Sequence, residues 1–250
     1  MPHPLSPPRS VGPAALRTGR PVQPLAGLTI LAVEDSRFAS EALRLLCLRS
    51  DARLRRAESL EQADRHLSVY RPDVVIVDLG LPDGNGTDLI RRLAGRRSPG
   101  LLVLGTSGDP AAHRAALAAG AAGFLPKPID SLAQFQAAVL GHLRAAPPVP
   151  QDIDHAPLHP DRIALHDDLL RAAGLLRVAD DARSRHYVAR FLGSLARSAQ
   201  DLDLEQAAGD AADTALALPQ LAALVAARLA AAPPAFGPSE SGISLSRPAG

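Results

Sequence analysis

Residues 74–86 read Val-Val-Ile-Val-Asp-Leu-Gly-Leu-Pro-Asp-Gly-Asn-Gly: an apolar run that ends on a carboxylate, Asp78, and breaks into a glycine-rich turn. Four β-branched residues in a row, without polar alternation, describe a strand buried on both faces, as in parallel sheets. A second run, Leu28–Val33, ends on Glu34 and Asp35. Shorter or weaker runs cover Ala52–Ala57, Leu101–Leu104 and Gly123–Leu125. Helical spacing follows each of them, over Arg37–Leu48, Leu60–Val69, Thr87–Leu93, Ala111–Ala119 and Leu132–Leu143. Five strand–helix repeats predict a doubly wound α/β domain on a five-stranded parallel sheet. In such a sheet chemistry collects outside the carboxyl ends of the strands.

Outward from this block, proline marks the boundaries of the 250-residue chain. A Pro-rich, disordered leader is expected over residues 1–27, the α/β domain over 28–146 and a flexible linker over 147–160 (Pro147 to Pro160). A small all-α domain over 161–232 and a disordered Pro/Ser/Gly tail over 233–250 complete the plan. In the helical part Leu165, Leu169, Ala172, Ala173 and Leu176 share one face, and Val188, Leu192, Leu195 and Ala199 another. Two more helices are expected over Leu202–Ala211 and Leu216–Leu229, giving a hairpin or a four-helix bundle.

Composition narrows the function classes. With 46% hydrophobic residues and a net charge of +1, the chain is neither disordered throughout nor coated with cations for nucleic acid. A single cysteine, Cys47 in an apolar run, excludes an internal disulfide and a cysteine-cluster zinc site and reads as packing. No signal peptide is apparent, and the Ala/Leu-rich stretch Ala215–Ala232 is interrupted by Pro219, Gln220 and Arg228. A cytoplasmic location without membrane insertion is therefore the expectation.

The strand ends carry the chemistry. Glu34, Asp35 and Asp78 arrive at one sheet edge, where carboxylates repel unless a cation joins them. Hard oxygen ligands suit Mg²⁺ or Mn²⁺. Of 27 basic side chains only one is lysine, Lys127, and it follows the fifth apolar run toward the same edge. A compact ammonium there can pair with a carboxylate at rest and neutralise phosphoryl charge during transfer, a role for which a guanidinium fork is too wide. Three carboxylates, one ammonium and a divalent ion make a site for moving a phosphoryl group onto an aspartate.

With the acidic pair Glu34–Asp35, the Asp78-Leu-Gly-Leu-Pro-Asp-Gly-Asn-Gly loop and the closing Ala-Gly-Ala-Ala-Gly-Phe-Leu-Pro-Lys-Pro segment, residues 27–145 resemble the receiver domain of two-component response regulators. The resemblance implies a flavodoxin-like fold and Asp78 as phosphoacceptor. It implies Mg²⁺ on Asp35, Asp78 and the main-chain carbonyl of Gly80, with Glu34 acting directly or through water. Lys127, joined to Pro128 by a cis peptide, would touch the phosphoryl group, and Phe124 matches the aromatic switch position. Such a domain catalyses only its own aspartyl phosphorylation and dephosphorylation, taking the group from a sensor histidine kinase or phosphotransfer protein. One departure stands out. The family's Thr or Ser at the end of strand four lies 22 residues before the lysine, which here is Gly105. Thr106 is one residue late and is expected to stand in as a catalytic hydroxyl, brought into the site by a bulge; the alternative is that the hydroxyl is missing.

The helical half resists the same treatment. Residues 151–250 carry 9 Arg against 13 Asp and Glu, which argues against a DNA-binding output. His186 shares a polar helix face with Arg183, Arg190 and Arg197, but the phosphotransfer pattern His-x-x-Lys-Gly is absent. His155 and His159 fall in the linker. The unit reads as a protein-interaction or dimerisation module, so a protein partner or a second copy of the chain is expected. Two alternatives stay open: a degenerate receiver acting as an unphosphorylated scaffold, and a phosphorelay intermediate using His186.

Overall fold

The computed structural model describes residues 23–96, 100–143 and 161–231. Strands β1 (Thr29–Val33), β2 (Arg53–Ala57), β3 (Val74–Asp78), β4 (Leu102–Ser107) and β5 (Gly123–Pro126) form one parallel sheet in the order β2-β1-β3-β4-β5. Helices α1 (Arg37–Arg49) and α5 (Leu132–Leu140) cover one face. Helices α2 (Leu60–Val69), α3 (Gly86–Gly95) and α4 (Ala112–Ala118) cover the other. The alternation expected of a sheet buried on both sides is explicit in β1. Ile30 and Ala32 pack with Leu43, Leu46 and Phe135, while Leu31 and Val33 pack with Ala63 and Ile90. The chain moves from β1 outward to β2 and returns past β1 to β3, so the topological switch point lies between the carboxyl ends of β1 and β3.

Local chemistry sets the helix starts. Ser36, Ser59, Asn85 and Ser131 each accept a backbone N–H of the first turn of α1, α2, α3 and α5, a cap worth about 1 kcal/mol apiece. The edge strand β2 is the weakest run because Arg53 and Arg55 face water, a charged edge that discourages pairing with another sheet. Leu25, within the stretch read as leader, is fully buried in the core beneath α1 and α5.

The helical half contains α6 (Arg162–Val178), α7 (Ala182–Ala199), α8 (Leu202–Asp213), a 3₁₀ turn (Ala215–Ala217) and α9 (Leu218–Ala231). Pro219 sits in the first turn of α9, where its missing N–H costs nothing. Leu169, Val188, Leu192, Leu195, Leu204, Leu221 and Val225 form the bundle core. Small Ala172, Ala196, Ala207 and Ala208 fill the remaining contacts between the helices. The bundle does not stand apart. Phe38 of α1 is 6% exposed and belongs to the bundle core rather than to the receiver's. The linker expected over 147–160, with His155 and His159, and the tail over 233–250 lie outside the described residues. Among the described residues no helix is long and apolar enough to cross a membrane.

Candidate functional site

β1, β3 and β5 deliver Glu34, Asp35, Asp78 and Lys127 to one edge. Carboxylate oxygens of Glu34, Asp35 and Asp78 lie within 4.8 Å of one another, all three residues buried. Lys127 reaches across the end of β4 and places Nζ 2.7 Å from Asp78 Oδ2 and 2.7 Å from Glu34 Oε2. The backbone fixes the remaining oxygens. Gly80 N donates to Asp78 Oδ1 at 3.0 Å and Ser36 N to Glu34 Oε1 at 3.1 Å. Gly86 must be glycine, because a Cβ there would stand 2.0 Å from the Asp78 carbonyl oxygen. The Lys127–Pro128 peptide is cis, as the resemblance implied.

Charge is unbalanced in this pocket. Burial, with Asp78 and Asp35 adding to it against the pull of Lys127, pushes the Glu34 carboxyl up to about 8. Burial and the neighbouring Asp78 push Asp35 up to about 6, against the hydroxyl of Tyr187 and the guanidinium of Arg171. Burial alone would lower the Lys127 ammonium, but Asp78 and Glu34 outweigh it and raise it. One buried ammonium among three carboxylates leaves room for further positive charge. Hard, clustered oxygens with that deficit fit a small divalent cation.

The strand-four hydroxyl is resolved against the expectation. β4 runs without a bulge, pairing Asp78 with Thr106 and Val77 with Gly105. Thr106 is fully buried and its hydroxyl donates to the Leu125 carbonyl oxygen at 2.7 Å, so it is not brought to the carboxylates. Gly105 has a steric cause: a Cβ there would meet the Ala116 Cβ of α4 at 2.6 Å. Two residues further on, Ser107 lines the cleft with Asp78 and Lys127, and its hydroxyl accepts Asp109 N at 3.1 Å. Period two along a strand would have found it, since 105 and 107 share a face. Phe124, half-buried, stacks on His113 of α4 with ring centroids 5.1 Å apart.

The largest departure from expectation is the roof. A cleft of about 630 Å³ runs between the carboxylates and helices α7 and α8, lined among others by His186, Arg190, Arg197 and Glu205. Three residues of the helical half grip the acidic edge. Tyr187 Oη donates to Asp35 Oδ2 at 2.5 Å. Arg171 donates to the Asp35 carbonyl oxygen at 2.7 Å and to Asp35 Oδ2 at 3.3 Å. Asp168, 1% exposed, accepts from Ser36 Oγ at 2.8 Å and from the backbone N–H groups of Arg37 and Phe38 at 3.0 Å each. A carboxylate placed on the exposed donors of α1's first turn is favoured by the helix dipole. None of these three was singled out from sequence; the only signal was two charges, Asp168 and Arg171, bordering the stripe Leu165, Leu169, Ala172.

Comparison with known proteins agrees with the geometry. Residues 30–139 match the family model described as the response regulator receiver domain. The chain is 32% identical over 124 residues to the KDP operon transcriptional regulatory protein KdpE of Escherichia coli K12, 48% of this chain and 55% of that protein. It is 40% identical over 65 residues to the virulence transcriptional regulatory protein PhoP of Salmonella typhimurium, 26% of this chain and 29% of PhoP. The chain thus spans about half the length of the first relative and under a third of the second. Among solved structures, the signal receiver domain of a signal transduction histidine kinase from Syntrophus aciditrophicus is 28% identical. It aligns over 50% of this chain and 99% of that one, with a TM-score of 0.41. An acidic switch point, a lysine reaching it from the last strand and a family match over the same span have one common explanation: residues 30–139 are a response regulator receiver domain.

Proposed function

We propose that the chain is a cytoplasmic response regulator that accepts a phosphoryl group on Asp78 from a sensor histidine kinase or phosphotransfer protein and signals through a helical, non-DNA-binding output. The observation that carries this reading is the Lys127 ammonium shared at 2.7 Å between Asp78 and Glu34 inside a three-carboxylate cluster. Mg²⁺ would be held by Asp35, Asp78 and the Gly80 carbonyl, with Glu34 beside them, and supplies electrostatic neutralisation of the phosphoryl oxygens when bound. An Asp78 carboxylate oxygen attacks phosphorus, the phosphorus–nitrogen bond breaks, and the imidazole leaves with its electron pair. Lys127 meanwhile follows the charge as it passes from the carboxylate to the phosphoryl oxygens. Ser107 rather than Thr106 supplies the hydroxyl in the cleft. The acidic balance of residues 151–250 supports an output that does not bind DNA, although the two named relatives are transcriptional regulators.

Labelling with acetyl phosphate or a cognate kinase tests the reading. Incorporation that requires Mg²⁺ and disappears in Asp78→Asn is expected; labelling retained in that variant overturns it. A second reading, a scaffold that is never phosphorylated, draws on Gly105, whose missing side chain removes the family's hydroxyl. Failure of beryllofluoride with Mg²⁺ to bind would favour it. The relay reading draws on His186, which is exposed and lines the same cleft as Asp78; stable phosphate on that residue is its signature.

A further inference from the structure

We infer that the helical half serves as an internal counter-ion for the cation site, so that docking of α6 and α7 on Asp35 and binding of a divalent cation oppose each other. The inference rests on the reading of Glu34, Asp35 and Asp78 as a Mg²⁺ site. Of these three carboxylates, Lys127 is paired with Glu34 and Asp78. The positive partner of Asp35 comes from the other half of the chain: the Arg171 guanidinium at 3.3 Å, accompanied by the Tyr187 hydroxyl at 2.5 Å on the same oxygen. Arg171 is itself held in place, donating to Tyr187 Oη at 3.0 Å and lying over the Phe191 ring at 5.1 Å.

Two physical conflicts follow when a divalent cation enters. Lone pairs of Asp35 Oδ2 that accept from Tyr187 and Arg171 are withdrawn from coordination. The guanidinium and the cation also repel each other across the Asp35 carboxylate, a repulsion that salt screens in part because Arg171 is one-third exposed. Next along the chain, the Ser36 hydroxyl and the amides of Arg37 and Phe38 are held by Asp168 of α6, and Phe38 fills the bundle core. The cation-binding carboxylate and the anchor of the helical half are thus consecutive in sequence, and loosening the first transmits to the second. Linkage makes the effect reciprocal: the factor by which the cation weakens docking is the factor by which docking weakens the cation.

The chain has no tryptophan and two tyrosines, Tyr70 and Tyr187, so in Tyr70→Phe the emission of Tyr187 is the intrinsic signal. A phenol donating to a carboxylate is quenched. Titrating full-length Tyr70→Phe with Mg²⁺ alone is expected to raise tyrosine emission to a plateau. Amide exchange at Arg37 and Phe38 should accelerate over the same concentrations. Calorimetry of Arg171→Gln and of Tyr187→Phe, which keeps the ring and removes only the hydroxyl, is expected to show Mg²⁺ bound at least fivefold more tightly, within the roughly 5–150-fold reach of coupled sites. Calorimetric binding with emission and exchange unchanged, and with equal affinity in both variants, overturns the inference while leaving the metal site standing. Absence of calorimetric binding in the parent and in both variants overturns the Mg²⁺ reading and the inference with it.

Discussion

Among the described residues, two cations pair with the carboxylates of the acidic edge, one from each half of the molecule, and they are installed differently. Lys127 is 2% exposed, follows the last strand of the sheet and bridges two buried carboxylates at 2.7 Å. Arg171 is 35% exposed, comes from a helix 44 residues further along the chain and reaches one carboxylate at 3.3 Å. The first is an interior member of the fold: removing it strands two buried carboxyl groups. The second stands at a seam wetted by a cleft of about 630 Å³, where water can replace much of what it does. For the proposed cycle of binding, transfer and release, such a site has a use for both, a permanent charge and an exchangeable one.

The sharpest way to break this contrast is at Lys127. Lys127→Ala leaves Glu34 and Asp78 buried without their partner, and removal of one member of a buried pair costs about 3–5 kcal/mol. A urea midpoint lowered accordingly in metal-free buffer is expected, and a midpoint within error of the parent would show the bridge to be dispensable. On the helical side the largest loss should come from Asp168→Ala. It deprives the Ser36 hydroxyl and two amides of a charged acceptor, at about 1–3 kcal/mol, read as faster amide exchange at Arg37 and Phe38.

Gly105 probes how tightly the receiver side is built. Gly105→Ser forces a Cβ to 2.6 Å from Ala116, and overpacking of this kind costs about 1–3 kcal/mol. Adding Ala116→Gly should recover part of it, and strict additivity in the thermal midpoints of the double-mutant cycle would exclude the contact as the cause. Arg171→Gln is the smallest. A pair one-third exposed contributes under about 1 kcal/mol after screening, and the difference from the parent should fade as salt rises. A salt-independent loss equal to that of Lys127→Ala would erase the distinction between the two cations.

What could be read in advance follows the range of the interactions. Asp35 and Asp78 terminate apolar runs and Lys127 is unique in its kind, so their placement needed only the alternation of strands and helices. Helix α2 matches its expected span, Leu60–Val69, because Ser59 and the apolar spacing both lie in local sequence. Thr106 could not be settled that way: whether a hydroxyl faces the site depends on strand register, and on Ala116 of another element leaving no space at 105. Asp168, Arg171 and Tyr187 were illegible for a stronger reason. Their contacts span 130 to 152 residues, and no periodicity in one segment encodes where a distant segment will dock. Leu25 shows the same limit in miniature, a buried residue hidden in a proline-rich stretch.

Phe38 gives helix α1 two allegiances: its middle, with Leu43, Leu46 and Cys47, belongs to the sheet, while its first turn belongs to the bundle. Cutting the chain after residue 143 would therefore not yield a smaller version of the same domain. It would yield a receiver with a bare aromatic ring three residues after Asp35, a sticky spot for crystal contacts, self-association and detergents alike. Anyone preparing the receiver alone should replace Phe38 with a polar residue first, and should distrust the oligomeric state of a truncated protein that keeps it.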